Sequence, residues 1–309
     1  MEVVQSEQLQ IRAARPHERD AALKLALACV PESVREALTA QTLAKAAEGE
    51  PLDGLLLAQR GERVVGALYC EVQLGRSAGI WPPQIALGEA DDEGVSRRLL
   101  QAAVAWLGTQ NVRIVQAMLA ADGGRDAQRL RAGGFTHLTD LLYLVSLQAA
   151  FPKTPPATRV TFEPTSTRSD AELALLVEGT YEQTLDCPAL NGVQDCADAL
   201  ASYRGASSFD PALWFVVRHE QRNAGCLLLA DFADSDQRLL VYMGLLPEAR
   251  GKGLGIEVVR YAQWLCAQSG RGRLILAVDA ANKPAIDIYA AAGFVIWDRR
   301  SVWLHVLET

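Results

Sequence analysis

The chain repeats itself once. Trp106-Leu107 recurs as Trp264-Leu265, and Gly134-Phe135 recurs as Gly293-Phe294, at offsets of 158 and 159. A period this long describes two tandem copies of one domain, not a solenoid, whose repeats run to about 20–50 residues. The 309 residues leave room for two domains of about 100–200 residues each. Between the copies, Gln148–Thr158 carries Pro152, Pro155 and Pro156 in a polar stretch, the composition of a linker. The expected division is a first domain over 1–147, a linker over 148–158 and a second domain over 159–309.

The two halves show the same order of elements. In the first, an alternating strand is expected at Leu9–Ala13 and a helical stretch to about Ala47, interrupted near Pro31. Strands follow at Gly54–Arg60, Arg63–Leu74 and Gly79–Leu87, the last made irregular by Pro82 and Pro83. Then come a helix (Glu93–Gly108), a strand (Val112–Leu119), a helix (Gly124–Ala132) and a strand (Asp140–Leu147). The second half reads as a strand at Arg159–Phe162 and helices at Ser169–Leu185 and Val193–Tyr203. Strands are expected at Ala212–His219, Ala224–Asp231 and Gln237–Leu246, then a helix at Leu254–Gln268. A strand at Arg273–Asp279, a helix at Lys283–Ala291 and a strand at Ser301–Leu307 complete it.

Composition removes several classes. Half the residues are hydrophobic and 22% are charged, enough for a packed core and too apolar for disorder. With 30 basic against 37 acidic residues the net charge is −7, so no global basic field exists for nucleic acid. Apolar runs such as Leu55–Ala58 and Leu239–Met243 are far too short for a membrane span. The first dozen residues lack a basic segment followed by an apolar one, so no export signal is read. Six scattered cysteines without a CxxC pair argue against zinc and a disulfide framework and for a reducing cytoplasm. His17, His137, His219 and His305 have no metal-ligand spacing, so no metal is expected.

The most informative stretch follows the strand that ends near Leu246. Gly251, Gly253 and Gly255 sit where that strand turns into an amphipathic helix, and Arg250 and Lys252 add two cations. Glycine permits the backbone conformations of a tight turn. The first amides of a helix have no internal partner, and the helix dipole adds partial positive charge there, which suits a diphosphate. The plain alternative is a glycine turn that caps a strand and begins a helix. Two other phosphate loops do not fit: Ile256 stands where the dinucleotide fingerprint GxGxxG needs its last glycine, and no GxxxxGK[ST] is present.

Arg250-x-x-Gly253-x-Gly255 after an apolar strand resembles the acetyl-CoA loop of the GNAT acetyltransferase superfamily. Downstream, Asn282 at a helix start, Ala285, Tyr289 and then Gly293-Phe294 resemble that family's second motif. The resemblance covers about 159–308 and implies an α/β fold of two tandem GNAT domains. Each would be a mixed, largely antiparallel sheet flanked by helices. It implies an N-acetyltransferase that uses acetyl-CoA and a primary amine, of a small molecule or a peptide, by direct attack. Backbone amides of Arg250, Gly251, Lys252, Gly253, Leu254, Gly255 and Ile256 would hold the CoA pyrophosphate. The strand end Gly244, Leu245 and Leu246 would splay from Arg273–Asp279 and take the pantetheine arm as an added strand. Asn282 would bond the pantetheine or cap its helix, two compatible roles, and Ala285 would lie beside the cofactor. Tyr289 would protonate the leaving thiolate; the plain alternative is packing against Phe294. Tandem length also resembles mycothiol synthase, which acetylates a cysteinyl amine. A CoA-binding sensor without turnover is the alternative from another class.

The first half lacks this chemistry. Glu89, Asp91, Asp92 and Glu93 stand where the second half has its cations and glycines, and would repel a diphosphate. An offset of 159 places Gly123, Asp126 and Leu130 opposite Asn282, Ala285 and Tyr289. A degenerate copy is therefore expected. For the acceptor, the resemblance points to the segment between the second half's first two helices. Tyr181, Glu182, Asp186 and Asn191 lie there, with Asp231 and Tyr242 on the neighbouring strands. Acids near a cleft suit a cationic amine, although turn and solvated-helix roles explain them equally. The general base is left among Glu182, Asp186, Asp231 and a water relay.

Overall fold

The structure is a computed structural model that describes residues 8–121, 123–206, 208–232 and 235–307. Most of the segment in which no export signal is read, residues 1–7, lies outside the described residues. The chain forms two compact units. One holds the residues up to His137 together with those from Val302 on; the other is Leu138–Ser301.

The first unit contains β1 (Leu9–Ala13), α1 (Arg19–Ala26), α2 (Glu32–Ala47), β2 (Leu55–Arg60) and β3 (Arg63–Gln73). β4 (Ser77–Ile80), β5 (Gln84–Ile85), α3 (Asp92–Thr109), β6 (Ile114–Ala120), α4 (Gly124–Ala132) and the start of β7 (Thr136–Leu147) follow. β1 to β4 run antiparallel and β4 runs parallel to β6. The strand expected over Gly79–Leu87 is instead the short pair β4 and β5, broken at Pro82-Pro83, because proline has no N–H to give a ladder. α3 buries Val95, Leu99, Leu100, Ala103 and Leu107 completely, a helical-spacing stripe laid on the sheet.

The second unit adds β8 (Val160–Pro164), α5 (Asp170–Tyr181), α6 (Cys196–Gly205), β9 (Trp214–His219) and β10 (Arg222–Asp231). It continues through β11 (Gln237–Leu245), α7 (Leu254–Gln268), β12 (Arg273–Asp279), α8 (Lys283–Ala291) and β13 (Val295–Val306). β8 to β11 are antiparallel, β11 and β12 parallel, and β12 pairs antiparallel with β7. Leu254, Val258, Val259, Ala262 and Cys266 of α7 form a buried stripe like that of α3. The fold class is the expected mixed α/β architecture, a largely antiparallel sheet flanked by helices.

Several expected termini move: β7 begins at Thr136, not Asp140, and α6 at Cys196, not Val193. α5 stops at Tyr181, not Leu185, and Gln183 and Cys187 take left-handed backbone conformations. β13 starts at Val295, six residues before the expected Ser301, because its charged residues are paired: Arg300 bonds Asp298 at 2.7 Å, and Arg299 bonds Asp140 of β7. The proline-rich stretch is partly anchored. Phe151 is buried in the second unit's core and the Gln148 N–H donates to the Gly272 carbonyl at 2.9 Å. No helix among the described residues is long and apolar enough to cross a membrane.

Candidate active site

Two parallel strands that part company create the site. β11 and β12 pair only at Gln237, Arg238 and Leu239 with Arg273, Leu274 and Ile275. Beyond these, β11 stays paired with β10 as far as Leu245, and β12 stays paired with β7 as far as Asp279. Each strand therefore keeps one unpaired backbone edge turned to the gap. A bulge helps bend β11 away: Leu228 faces Tyr242 and Leu229 faces Leu240, leaving Val241 as the extra residue. The gap spans the splayed end around Gly244 and Leu245, and the Leu246 N–H turns back to the Ala224 carbonyl at 2.9 Å.

From there a short 3-10 turn, Pro247–Ala249, leads to Arg250 and the glycines. Gly251 and Gly253 have φ of 72° and 73°, a left-handed region that side chains disfavour. Gly253 caps α7, and among the described residues no side chain caps the helix's first amides. Gly255 serves helix packing instead. A Cβ there would stand 2.9 Å from Ile288 Cδ1, so its bareness lets α7 approach α8. The corresponding helix in the first unit is closed. The Asp91 carboxylate accepts the Gly94 N–H at 3.0 Å, Arg129 bonds Asp92 at 2.6 Å, and Arg63 bonds Glu89 at 2.9 Å.

The Arg250 guanidinium is not presented at the loop. It donates to the carbonyls of Leu245 (3.0 Å), Thr180 (2.8 Å), Glu182 (2.8 Å) and Gln183 (3.2 Å). It thus ties the end of β11 to the carbonyl-rich end of α5, a favourable place for a cation. Lys252 stays exposed. A second arginine, Arg159, sits beside the loop and was not singled out from sequence. It donates to the Lys252 carbonyl at 2.9 Å and to Glu257 at 2.7 Å. Nothing in its linker-edge position announces this.

Aromatic side chains line the α5 side of β11. Tyr242 stacks on Tyr203 (5.0 Å between ring centres) and meets Tyr181 edge-on at 5.7 Å. The Tyr242 hydroxyl is 2.7 Å from that of buried Thr180, and Tyr181 is 2.7 Å from Tyr203. Burial pushes all three phenols well above their usual range.

The segment leaving α5 then reaches β12. The Asp186 carboxylate accepts the Asp279 N–H at 3.1 Å, and the Asp279 carboxylate accepts the Cys187 N–H at 3.1 Å and the Ala281 N–H at 2.8 Å. Asp279 is 2% exposed. Burial raises the Asp186 carboxyl above its ordinary range, and pushes the Cys187 thiol up to about 12, which leaves it inert as a nucleophile. Asp279 lies just ahead of the second motif, yet sequence reasoning gave it no role; an acid closing an apolar strand was the available signal.

Asn282 caps α8, accepting the Ala285 N–H at 3.3 Å, and Ala285 is half-buried against the core. Tyr289 is 5% exposed, packs on Phe294 at 5.5 Å, and its phenol is held above the usual range by burial and by Asp186. The other acceptor candidates do not join this cluster. Asp231 lies where β10 meets the start of β11, bonded twice to Arg238 at 2.7 and 3.0 Å. The Glu182 side chain is exposed, and Asn191 donates to the Tyr181 carbonyl at 3.4 Å. Among the described residues no group of three or more His, Cys, Asp or Glu is placed to hold a metal ion.

Comparison with known proteins agrees with this geometry. Residues 180–294 match the model of the acetyltransferase (GNAT) family. A GCN5-related N-acetyltransferase from Sphaerobacter thermophilus superposes with a TM-score of 0.63 at 17% identity, over 97% of this chain and 96% of that one. A tandem GNAT protein from the clavulanic acid biosynthesis pathway gives 0.53 at 16%, over 98% and 99%. A glucosamine N-acetyltransferase region of a fungal multi-domain β-N-acetylglucosaminidase gives 0.63 at 15%, over 99% of this chain and 39% of that one. At such identities the likeness shows the fold, and that fold is the tandem GNAT arrangement. No curated protein matches the sequence.

Proposed function

We infer that this protein, a tandem GNAT-fold chain with a GNAT-family domain at residues 180–294, transfers an acetyl group from acetyl-CoA to a primary amine in its second unit. The carrying observation is the gap between β11 and β12 running into a glycine turn, with a helix behind it whose first amides no described side chain caps. An extended thioester arm can pair with the splayed end of β11 at Gly244–Leu246, where the Leu245 carbonyl is held by Arg250 and the Leu246 N–H by Ala224, and the amides from Arg250 to Ile256 suit its diphosphate. Acetyl-CoA, as co-substrate, supplies the activated acyl carbonyl. A backbone N–H of the splayed strand end can stabilise the oxyanion that forms on it. Tyr289 keeps its proton at neutral pH, as a donor to the departing thiolate must. Asn282 and Ala285 border the arm. The first unit, whose helix start is taken by Asp91, serves structure or acceptor binding without a CoA site of its own.

Thermal unfolding with acetyl-CoA tests this reading. At 100 times the dissociation constant, binding adds about 2.7 kcal/mol. For a unit of this size that raises Tm by about 5–10 °C. The Gly253→Glu variant, where a Cβ would come no nearer than 3.4 Å to a flexible Arg159 side chain, should fold, by circular dichroism, and lose the shift. No wild-type shift at millimolar acetyl-CoA would sink the proposal. A shift in the wild type without amine-dependent release of free CoA would favour a CoA-binding module, the reading that β11's lack of any carboxylate also suggests.

A further inference from the structure

We propose that Asp186, with Asp279 beside it, holds the acceptor's ammonium group and takes its proton, so that the acceptor is an amine delivered as a cation. This rests on the acetyltransfer reading and adds to it the acceptor's charge and the missing base.

Placement is the first observation. The segment after α5 is held at one end by Arg250, through the Glu182 and Gln183 carbonyls, and at the other by Asp279. Asp186 thereby lies against the end of β12, its carboxylate on the Asp279 N–H. Its electrostatic neighbours are Asp279 on β12, Tyr242 on β11, Tyr181 on α5, Tyr289 on α8 and Cys187 in its own segment. None of these is a cation. The nearest arginine, Arg250, is spent on carbonyls. Two carboxylates, one of them 2% exposed, thus share a site with aromatic walls and no positive partner among the described residues. An ammonium group supplies the missing charge, and aromatic faces add to its attraction.

Tyr289 is the second observation. Its ring is buried (5% exposed), its hydroxyl makes no hydrogen bond to a described residue yet is not among the fully buried unpartnered atoms, so that oxygen keeps contact with solvent, and Asp186 is the charge that acts on it. A hydroxyl left open at the end of a buried ring is placed to meet a ligand. The acid and the base of one direct transfer would thus face the same gap. The rival bases are placed elsewhere: Asp231 is bonded to Arg238, and the Glu182 side chain is exposed.

The protons balance. Asp186 takes one from the ammonium and passes it to water. The freed nitrogen lone pair forms the C–N bond at the acyl carbonyl. Tyr289 gives its proton to sulfur as the C–S bond breaks, and the second nitrogen proton restores Tyr289. The third remains on the amide. The net yield is amide, CoA thiol and one proton. Burial that lifts the Asp186 carboxyl brings it closer to the working pH, where a base is most effective.

Asp186→Asn in the full chain tests this, since the amide oxygen still accepts the Asp279 N–H. Release of CoA is followed with a panel of alkylamines and with trifluoroethylamine, whose amino group is uncharged at neutral pH. The expected result is a loss of about 10²–10³ in kcat/KM for the best alkylamine. The acidic limb of the pH profile should vanish, and Asp186→Glu should partly restore the rate. Loss with trifluoroethylamine should be under tenfold. The Tm shift by acetyl-CoA should persist, which separates this outcome from failure of the CoA site. Tm without ligand should rise near neutral pH. An acid whose folded pKa is raised weakens the fold once pH exceeds its unfolded value, and asparagine removes that effect. A variant within twofold of wild type, an equal loss on both amine types, or a CoA-binding protein that no alkylamine turns over would each overturn the proposal.

Discussion

Replacing Tyr289 by phenylalanine is expected to lower kcat by about 10²–10⁴ and leave the affinity for acetyl-CoA unchanged. That range corresponds to about 2.7–5.5 kcal/mol of barrier. The substitution is clean because the ring stays. Tyr289 packs against Phe294 within the core that includes Val278 and Val259, and phenylalanine preserves those contacts. Only the hydroxyl goes, and it makes no hydrogen bond to a described residue. The hydroxyl is not among the fully buried unpartnered atoms, so removing it takes no fold contact away and Tm should hold steady. A drop in rate with steady Tm therefore reads the proton donor and nothing else. Steady-state kinetics with isothermal titration of acetyl-CoA decides it; kcat within threefold of wild type would remove Tyr289 from the chemistry.

The second large effect concerns Gly225 of β10, which pairs with Leu245. A Cβ at Gly225 would lie far inside contact distance of the Gly244 carbonyl and 2.9 Å from the Leu245 Cα. These are backbone atoms, so no side chain can swing aside. Gly225→Ala must part β10 from β11 at the end that forms the gap. The expected cost is about 3 kcal/mol. That lowers Tm by about 6–12 °C, with acetyl-CoA affinity falling alongside, as calorimetry and titration would register. Gly108, near the end of α3, is the matched control. A Cβ there meets nothing within 4 Å, and Gly108→Ala should raise stability by about 0.5–1 kcal/mol. If both variants unfold alike, the close approach of β10 and β11 is not what requires glycine.

Local features were readable from residues; long-range ones were not. α7, β12 and α8 begin and end where periodicity and the Gly and Asn signals put them. The loop glycines were readable because a left-handed turn and a close helix approach admit few other residues. The destination of the Arg250 guanidinium was not, since its carbonyl partners lie some 70 residues away in sequence, at Thr180 and Glu182. The same holds for Asp279 and Asp186, where the Asp279 N–H bonds the Asp186 carboxylate and the Cys187 N–H bonds the Asp279 carboxylate, joining two distant segments. The start of β13 was hidden by Asp298, Arg299 and Arg300, whose charges look solvated until partners such as Asp140 are known.

The two strands that straddle the units carry a consequence for how this chain comes into being. β12 of the second unit lies against β7, which closes the first half of the sequence, and β6 of the first unit lies against β13, which closes the second half. During synthesis the first unit cannot complete its sheet until residues 302–306 exist, so the half made first finishes last. Contacts of this sequence separation slow folding, because the intervening chain must be closed into a loop before any pairing rewards it. The exchange also binds the fates of the two copies. A cut within 148–158 would strip β12 of its neighbour and leave β6 with a bare edge, the kind that pairs with other chains. A chain shortened to remove the acid-filled loop would still have to keep residues 141–147, because β12 has no other partner on that edge.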